Sequence, residues 1–174
     1  MSANHLTAGR AAAFYATVIA AGLVIASTAD IWPIRVVYNA SASVPIGWYG
    51  VGEAEPVGVG DLVVARPPIR AETLLTERGY LAAGVPILKF VVAREGQSVC
   101  RAGEVITVDD VAIAVARDRD GAGRTLPLWN GCRLLGPGDV FLLNAAAPDS
   151  FDGRYFGPVP ITSIIGKATP LWTW

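Results

Sequence analysis

An uncharged stretch from Ala11 to Ala29 is the feature that most constrains the fold of this chain, because it is the longest segment without charge, whereas prolines and glycines interrupt the sequence after it. As an α-helix, its 19 residues would extend about 28 Å, close to the apolar thickness of a bilayer. Arg10 precedes the stretch without any acidic residue, and Asp30 follows it. The positive-inside bias therefore predicts a retained membrane anchor with the N-terminus in the cytoplasm.

Two other interpretations of this stretch remain open. Small residues at Ser27-Thr28-Ala29 fit the cleavage site of a removable signal peptide, although the stretch is longer than a usual h-region. A buried core helix is the third interpretation, and the flanking charges disfavour it. With a retained anchor, we expect a cytoplasmic tail over residues 1–10, a transmembrane signal anchor over 11–31 and an exported domain over 32–174.

The residues after the anchor are typical of a mainly β domain, sandwich or barrel-like, with one short helix. Pro67-Pro68 opens the helix, which we expect from Ile69 to Arg78, and Gly79 ends it. Residues 117–124 are expected to form a solvated loop. Gly/Pro punctuation and β-branched residues predict these strands: Ile34–Tyr38, Gly47–Val51, Asp61–Arg66, Ile87–Arg94, Ser98–Arg101, Val105–Val108, Val111–Val115, Arg133–Leu135, Val140–Asn144 and Ile164–Thr169.

Composition excludes several classes of function. The net charge of −1 comes without a basic stripe, which argues against nucleic-acid binding. Cys100 and Cys132 are the only cysteines, and an even cysteine count in an exported domain predicts one disulfide. The absence of CxxC and of His/Cys clusters argues against a zinc site, and no cofactor is expected.

Ser43 and Lys89 are the candidates for chemistry. The sequence has two lysines against twelve arginines, and Lys89 lies in an apolar run. The one histidine, His5, precedes the hydrophobic stretch, so a serine nucleophile in the exported domain needs another base. A lysine desolvated by apolar neighbours can serve, since burial lowers its pKa. The alternative is a strand lysine that alternates to the surface, and Lys167 has an equally apolar neighbourhood.

Three motifs in order resemble those of the type I signal peptidase superfamily, and most closely its conjugative-transfer branch, the TraF-type peptidases. The first is Asn39–Tyr49, which follows the pattern Asn-x-Ser-x-Ser-x-Pro-x-Gly-x-Tyr. The second, Pro86–Ala93, resembles the lysine box, and the third, Ser150–Val159, resembles Ser-x-Asp-Ser-Arg-Tyr-x-Gly. A Leu-Pro-x-Trp-x-Gly-Cys run ending at Cys132 and a C-terminal Pro-Leu-Trp-Thr add to the likeness.

The resemblance implies a Ser/Lys dyad. Ser43 matches the nucleophile and Lys89 the general base. Ser41 matches a hydroxyl that forms the oxyanion hole together with the backbone N–H of Ser43. The alternative is that Ser41 and Ser43 are ordinary turn serines.

The third motif implies supporting roles. Ser150 matches a hydroxyl that orients the lysine, although a turn cap is the alternative. Asp152 and Arg154 match an ion pair, structural rather than chemical, that braces the site. The chain departs from the pattern twice: Val44 stands where many relatives have Met, and Gly153 replaces a serine. Neither change touches the dyad.

The resemblance also implies a substrate and a location. It predicts a single-pass inner-membrane serine endopeptidase whose catalytic domain faces the periplasm and matures a pilin precursor for conjugation, with hydrolysis or cyclisation as the outcome. The expected partners are the membrane-bound precursor, the lipid bilayer and conjugation or secretion machinery. A general preprotein signal peptidase and a non-catalytic anchored β domain of an assembly complex are the alternatives. Aromatic residues are expected either in the core or at the bilayer interface: Trp32, Trp48, Trp172 and Trp174.

Overall fold

The computed structural model describes residues 12–22 and 34–174, which fall in two units divided after Ile34. Residues 12–22 form a helix, α1, with apolar exposed side chains. The remainder of the predicted anchor, the tail over 1–10 and Trp32 lie outside the described residues. Within the described ranges, no helix is both long enough and apolar enough to cross a membrane.

The second unit consists mainly of short antiparallel strands. A 3-10 turn spans Ile161–Ser163. The two helices are α2 (Ile69–Glu77) and α3 (Gly153–Phe156). The strands are β1 (Val36–Asn39), β2 (Gly47–Val51), β3 (Leu62–Ala65), β4 (Ile87–Arg94), β5 (Ser98–Ala102), β6 (Val105–Val108), β7 (Val111–Val115), β8 (Gly131–Leu134), β9 (Asp139–Leu143), β10 (Val159–Pro160) and β11 (Ile164–Thr173).

The strands form two sheets. One has seven strands in the order β1-β2-β11-β3-β4-β9-β10, and the other has four in the order β7-β6-β5-β8. Strand β11 pairs with β2 through its second half and with β3 through its first half, across register shifts. This long strand therefore joins β1 and β2, which flank the candidate serines, to β3 and β4 in the same sheet.

The core places β4 at the centre of the domain. Leu88 packs in one apolar cluster with Val44 and Tyr49, while Ile87 and Val91 pack in another with Leu75 from α2. Ala93, near the end of β4, contributes to a third cluster that includes residues of both sheets. Five of the eight residues of β4 are buried, because the strand is covered on both faces over most of its length.

The mainly β architecture is as predicted, and the helix expected at Ile69–Arg78 is confirmed as α2, but the sequence analysis missed a second helix. The second helix, α3, is a single turn at Gly153–Phe156, where glycine disfavours helix and the Asp152 cap supports it. Strand β10 has only two residues, one of them proline, which leaves almost no β signal to read. The strand expected at Arg133–Leu135 lies instead at Gly131–Leu134.

Candidate active site

The loop between β1 and β2 carries both candidate serines, and the buried side chain of Asn39 organises it. Asn39 Nδ2 donates to the backbone carbonyls of Ser41, Val44 and Pro45 at 2.7, 3.0 and 3.1 Å. Tyr49 Oη also donates to the Pro45 carbonyl, at 2.7 Å. One amide thus closes the whole turn from inside, because three carbonyls that would otherwise point inward share its donors.

The hydroxyl groups of Ser41 and Ser43 face each other across this turn. Their Oγ atoms are 3.0 Å apart, and Ser41 Oγ also donates to Asn39 Oδ1 at 3.1 Å. Ser41 donates its one hydroxyl proton to Asn39, so Ser43 must be the donor in the Ser41–Ser43 hydrogen bond. Ser43 is half-buried and Ser41 is exposed. Attack by Ser43 therefore requires its hydroxyl to exchange this bond for another acceptor.

Lys89 lies on β4 and is buried, with 5% of its surface exposed, whereas the next residue, Phe90, is 39% exposed. The alternative of a surface-alternating lysine is therefore wrong. The other lysine, Lys167, is 37% exposed at its side chain and pairs with Asp61 at 2.9 Å. The two lysines have equally apolar sequence neighbours but opposite environments.

The hydrogen-bond partner of the Lys89 amine is Ser150. Lys89 Nζ donates to Ser150 Oγ at 2.8 Å, and both side chains are buried. Burial lowers the pKa of the Lys89 ammonium from 10.5 to about 8, while Asp152 raises that pKa and Arg154 lowers it by smaller amounts. Among the described residues, no hydrogen bond joins Lys89 Nζ to Ser43 Oγ.

Asn144, which our sequence prediction missed, fixes the backbone on both sides of Lys89. Its side chain accepts from the Phe90 amide and donates to the Leu88 carbonyl, both at 3.2 Å, while its own backbone N–H donates to Asp152 Oδ2 at 3.1 Å. An Asn ending an apolar strand was the one available signal. Asn144 therefore connects the strand of Lys89 to the carboxylate of Asp152.

Asp152 and Arg154 form a buried ion pair next to the lysine. Arg154 Nη2 lies 2.8 Å from Asp152 Oδ2, and the two side chains are 1% and 0% exposed. Arg154 Nε and its backbone N–H also donate to Asp152 Oδ1, at 2.9 and 3.1 Å. The same Nη2 also lies 3.1 Å from the Asn144 carbonyl and 2.7 Å from the Ala147 carbonyl. The ion pair therefore connects the loop before α3 to the first turn of α3.

The glycine between these two residues has a steric reason. A Cβ atom on Gly153 would lie 2.6 Å from Phe141 Cε2 and 2.7 Å from the Leu142 carbonyl. Real Cβ atoms do not approach backbone this closely. The departure from serine at this position therefore suits the packing of α3 onto β9.

Two cavities meet at Ser43. One, of about 370 Å³, is lined on one side by residues 37–41 and Ser43, and on the other by residues 80–81 and 85–89. The other, of about 450 Å³, is bordered by Ser43, Phe90 and Asn144, with apolar residues making up most of its wall. Only the first of these two has Lys89 in its wall. It therefore brings both members of the candidate dyad, with Ser41, to one space.

The predicted disulfide is confirmed: Cys100 on β5 and Cys132 on β8 are bonded. Next to Cys100, buried Arg101 donates to the carbonyl of Arg154. The bridged sheet thus contacts the turn that holds the buried ion pair. Within the described residues, no group of three His, Cys, Asp or Glu side chains forms a metal site.

Comparison with known proteins gives a family match over nearly the whole chain. Residues 10–174 match the family described as "Signal peptidase, peptidase S26". A "Probable conjugal transfer protein TraF" of Sinorhizobium fredii is 36% identical over 146 residues, which cover 78% of this chain and 76% of that protein. A "Plasmid transfer protein TraF" of Escherichia coli is 33% identical over 172 residues, covering 90% of this chain and 96% of that one.

A solved structure is also similar. A signal peptidase I of Enterococcus faecalis matches 66% of this chain and 98% of its own, at 18% identity and a TM-score of 0.38.

Proposed function

This chain belongs to the peptidase S26 signal peptidase family, and on that premise we propose that it is a TraF-type serine endopeptidase working through a Ser43/Lys89 dyad. The observation that carries the proposal is the environment of Lys89. It is buried, its pKa is lowered to about 8, and it faces the same cavity as Ser43. A structural lysine has no need of a lowered pKa, whereas a general base has.

The reaction begins when Ser43 Oγ attacks the scissile carbonyl and neutral Lys89 takes its proton. The Ser41 hydroxyl rotates away from Asn39 Oδ1, and Ser41 Oγ and the Ser43 backbone N–H then donate to the oxyanion; a donor of this kind contributes about 3–4 kcal/mol in other enzymes. Lys89 then gives this proton to the amine of the scissile bond as the C–N bond breaks. An acyl ester remains on Ser43. Ser150 keeps the amine of Lys89 in place throughout.

The acyl ester has two fates. Water attacks it to give a linear product, or the substrate's own amino terminus attacks it to give a cyclic one. The substrate we propose is a pilin precursor, which the TraF-type resemblance implies, and the relatives described as conjugal or plasmid transfer proteins are consistent with a role in conjugation. Cyclisation of that precursor is part of the same proposal.

The proposed location is the periplasmic face of the inner membrane, with the segment around α1 as the anchor. The disulfide supports an oxidising compartment. Exposed tryptophans on β2, on β11 and just after β11 support a position at the bilayer interface, since Trp48, Trp172 and Trp174 are 46%, 71% and 66% exposed.

The test is mass spectrometry of a pilin precursor incubated with the full chain in membranes. We expect a shortened product whose mass is lower than that of the linear form by one water. Ser43→Ala and Lys89→Ala should each abolish the product, and Lys167→Ala should not. A linear product would contradict cyclisation but leave the proposed endopeptidase activity intact.

Other results separate the alternatives. Processing of unrelated preproteins but not of pilin would indicate a general signal peptidase. Binding of pilin without cleavage, unchanged in Ser43→Ala, would indicate a non-catalytic assembly domain.

A further inference from the structure

Tyr80 forms part of the wall of the cavity that holds Ser43 and Lys89. It follows α2, after a turn at Gly79 with φ of +70°. The backbone N–H groups of Tyr80 and Leu81 both donate to the Leu75 carbonyl, at 2.8 and 3.2 Å. The backbone of this wall is thereby tied to the end of the helix.

The side chain of Tyr80 is held separately, by Asp120 in the loop between β7 and β8. The Tyr80 hydroxyl donates to Asp120 Oδ2. The same carboxylate accepts from Arg78 Nη1 at 3.1 Å and from Arg124 Nε at 2.7 Å, and the backbone N–H groups of Ala122 and Arg124 also reach it. We call the side chains of Arg78, Tyr80, Asp120 and Arg124 the Asp120 clamp.

Arg124 holds Tyr80 in a second way. Its guanidinium lies 5.3 Å from the centre of the Tyr80 ring, and its Nη2 donates to the Tyr80 hydroxyl at 3.2 Å. The ring is thus fixed at its hydroxyl and over one face. Tyr80 is still 42% exposed, so the clamp leaves part of the ring free to contact a ligand.

The clamp is built into a braced loop. The Asp120 side chain is only 6% exposed. Burial acts to raise the pKa of Asp120, but its hydrogen bonds to Tyr80, Arg124 and Ala122 outweigh burial and hold that pKa well below its usual value. The loop closes through a bond of 2.8 Å from the Leu126 N–H to the Asp118 carbonyl. Residues 117–124, expected to be a solvated loop, therefore contain an ordered charged centre.

We propose that Tyr80 is a specificity-determining residue and that the Asp120 clamp positions it against the substrate. This inference rests on the proposed function, since it assigns a role in the same cavity. A peptide that reaches Ser43 through this cavity passes between residues 37–41 and the Tyr80–Leu81 wall. A ring fixed in that wall limits the size of one substrate side chain and packs against it.

The test uses a positional-scanning library of internally quenched octapeptides and the full chain in detergent. Tyr80→Ala should accept larger side chains at one peptide position. Tyr80→Phe and Asp120→Asn keep the ring but release it, so KM for the preferred peptide should rise about threefold to tenfold. The kcat value should stay within about twofold, because the dyad is untouched.

Asp118→Asn is the matched control, since it removes an exposed carboxylate from the same loop outside the clamp. It should leave the profile and KM unchanged. If Asp120→Asn unfolds, the two Tyr80 variants still decide the question. A Tyr80→Ala enzyme that cleaves with the wild-type profile overturns the inference alone. A wild-type chain that cleaves no peptide overturns the proposed function and this inference with it.

Discussion

Lys89 Nζ donates to Ser150 Oγ at 2.8 Å, and this bond defines where the lysine amine points. Ser150 belongs to the loop before α3, whose shape depends on the Asp152–Arg154 pair. The direction of the amine is therefore set from outside the strand that carries it. This coupling gives separate expectations for the base, for its cost in stability and for the scaffold around it.

The pH dependence of activity follows from the pKa of Lys89, which burial lowers to about 8. The amine accepts a proton only when neutral, so kcat/KM should rise with pH through a limb near 8 and fall on acidification. Lys89→Arg should be inactive at every working pH because arginine stays protonated. A flat profile from pH 6 to 10, or an active Lys89→Arg enzyme, would contradict the lysine base.

The same burial costs stability, and the sign can be checked by mutation. In the folded chain Lys89 loses its proton near 8, and in the unfolded chain near 10.5. The penalty is absent above 10.5, builds as the pH falls toward 8 and is complete below it. The shift from 10.5 to about 8 corresponds to about 3 kcal/mol.

Lys89→Met, of similar length, should therefore raise the free energy of unfolding at pH 7 by up to about 3 kcal/mol. Loss of the bond to Ser150 reduces the gain. The advantage over wild type should shrink between pH 8 and 10.5. Urea unfolding at pH 7 and pH 10 measures both values. A Lys89→Met chain less stable than wild type at pH 7 would contradict the assigned cost of burial.

The buried ion pair should be far more important for stability than the exposed one. Asp152→Ala leaves the Arg154 guanidinium charged and buried, which costs about 3–5 kcal/mol. Lys167→Ala breaks the half-exposed pair with Asp61 and should cost less than about 1 kcal/mol. Chemical denaturation of both variants gives the comparison. Equal losses would show that the Asp152–Arg154 pair does not brace the site.

The strands could be predicted from the sequence because the turns that end them depend on neighbouring residues. Gly47–Val51 and Ile87–Arg94 have the bounds that proline and glycine predicted. Long-range polar contacts were not readable. Asn39 and Asn144 act by hydrogen-bonding backbone groups that fold toward them, and Asp120 accepts from residues just after α2 as well as from its own loop. The residues next to Asn39, Asn144 and Asp120 in sequence do not indicate which distant groups these side chains will bond.

The two lysines show the same limit. Val63 is the cross-strand partner of Lys89 on one side and of Lys167 on the other. The two lysines thus have similar sequence neighbours and the same cross-strand partner. What differs is what covers each amine, Ser150 or the half-exposed carboxylate of Asp61. Only the family resemblance distinguished Lys89 before the tertiary structure did.

The position between Asp152 and Arg154 should tolerate only glycine. Gly153→Ala, and more strongly Gly153→Ser, would force a Cβ against Phe141 and the Leu142 carbonyl, and overpacking of this kind costs about 1–3 kcal/mol. Gly121→Ala is the matched control, because a Cβ there meets nothing within 4 Å. The free energy of unfolding should fall for the first two variants and stay within about 0.5 kcal/mol for the control. A Gly153→Ser chain as stable as wild type would mean that β9 and α3 separate enough to admit the serine of the motif that this segment resembles. The packing reason for this departure from the family pattern would then be wrong.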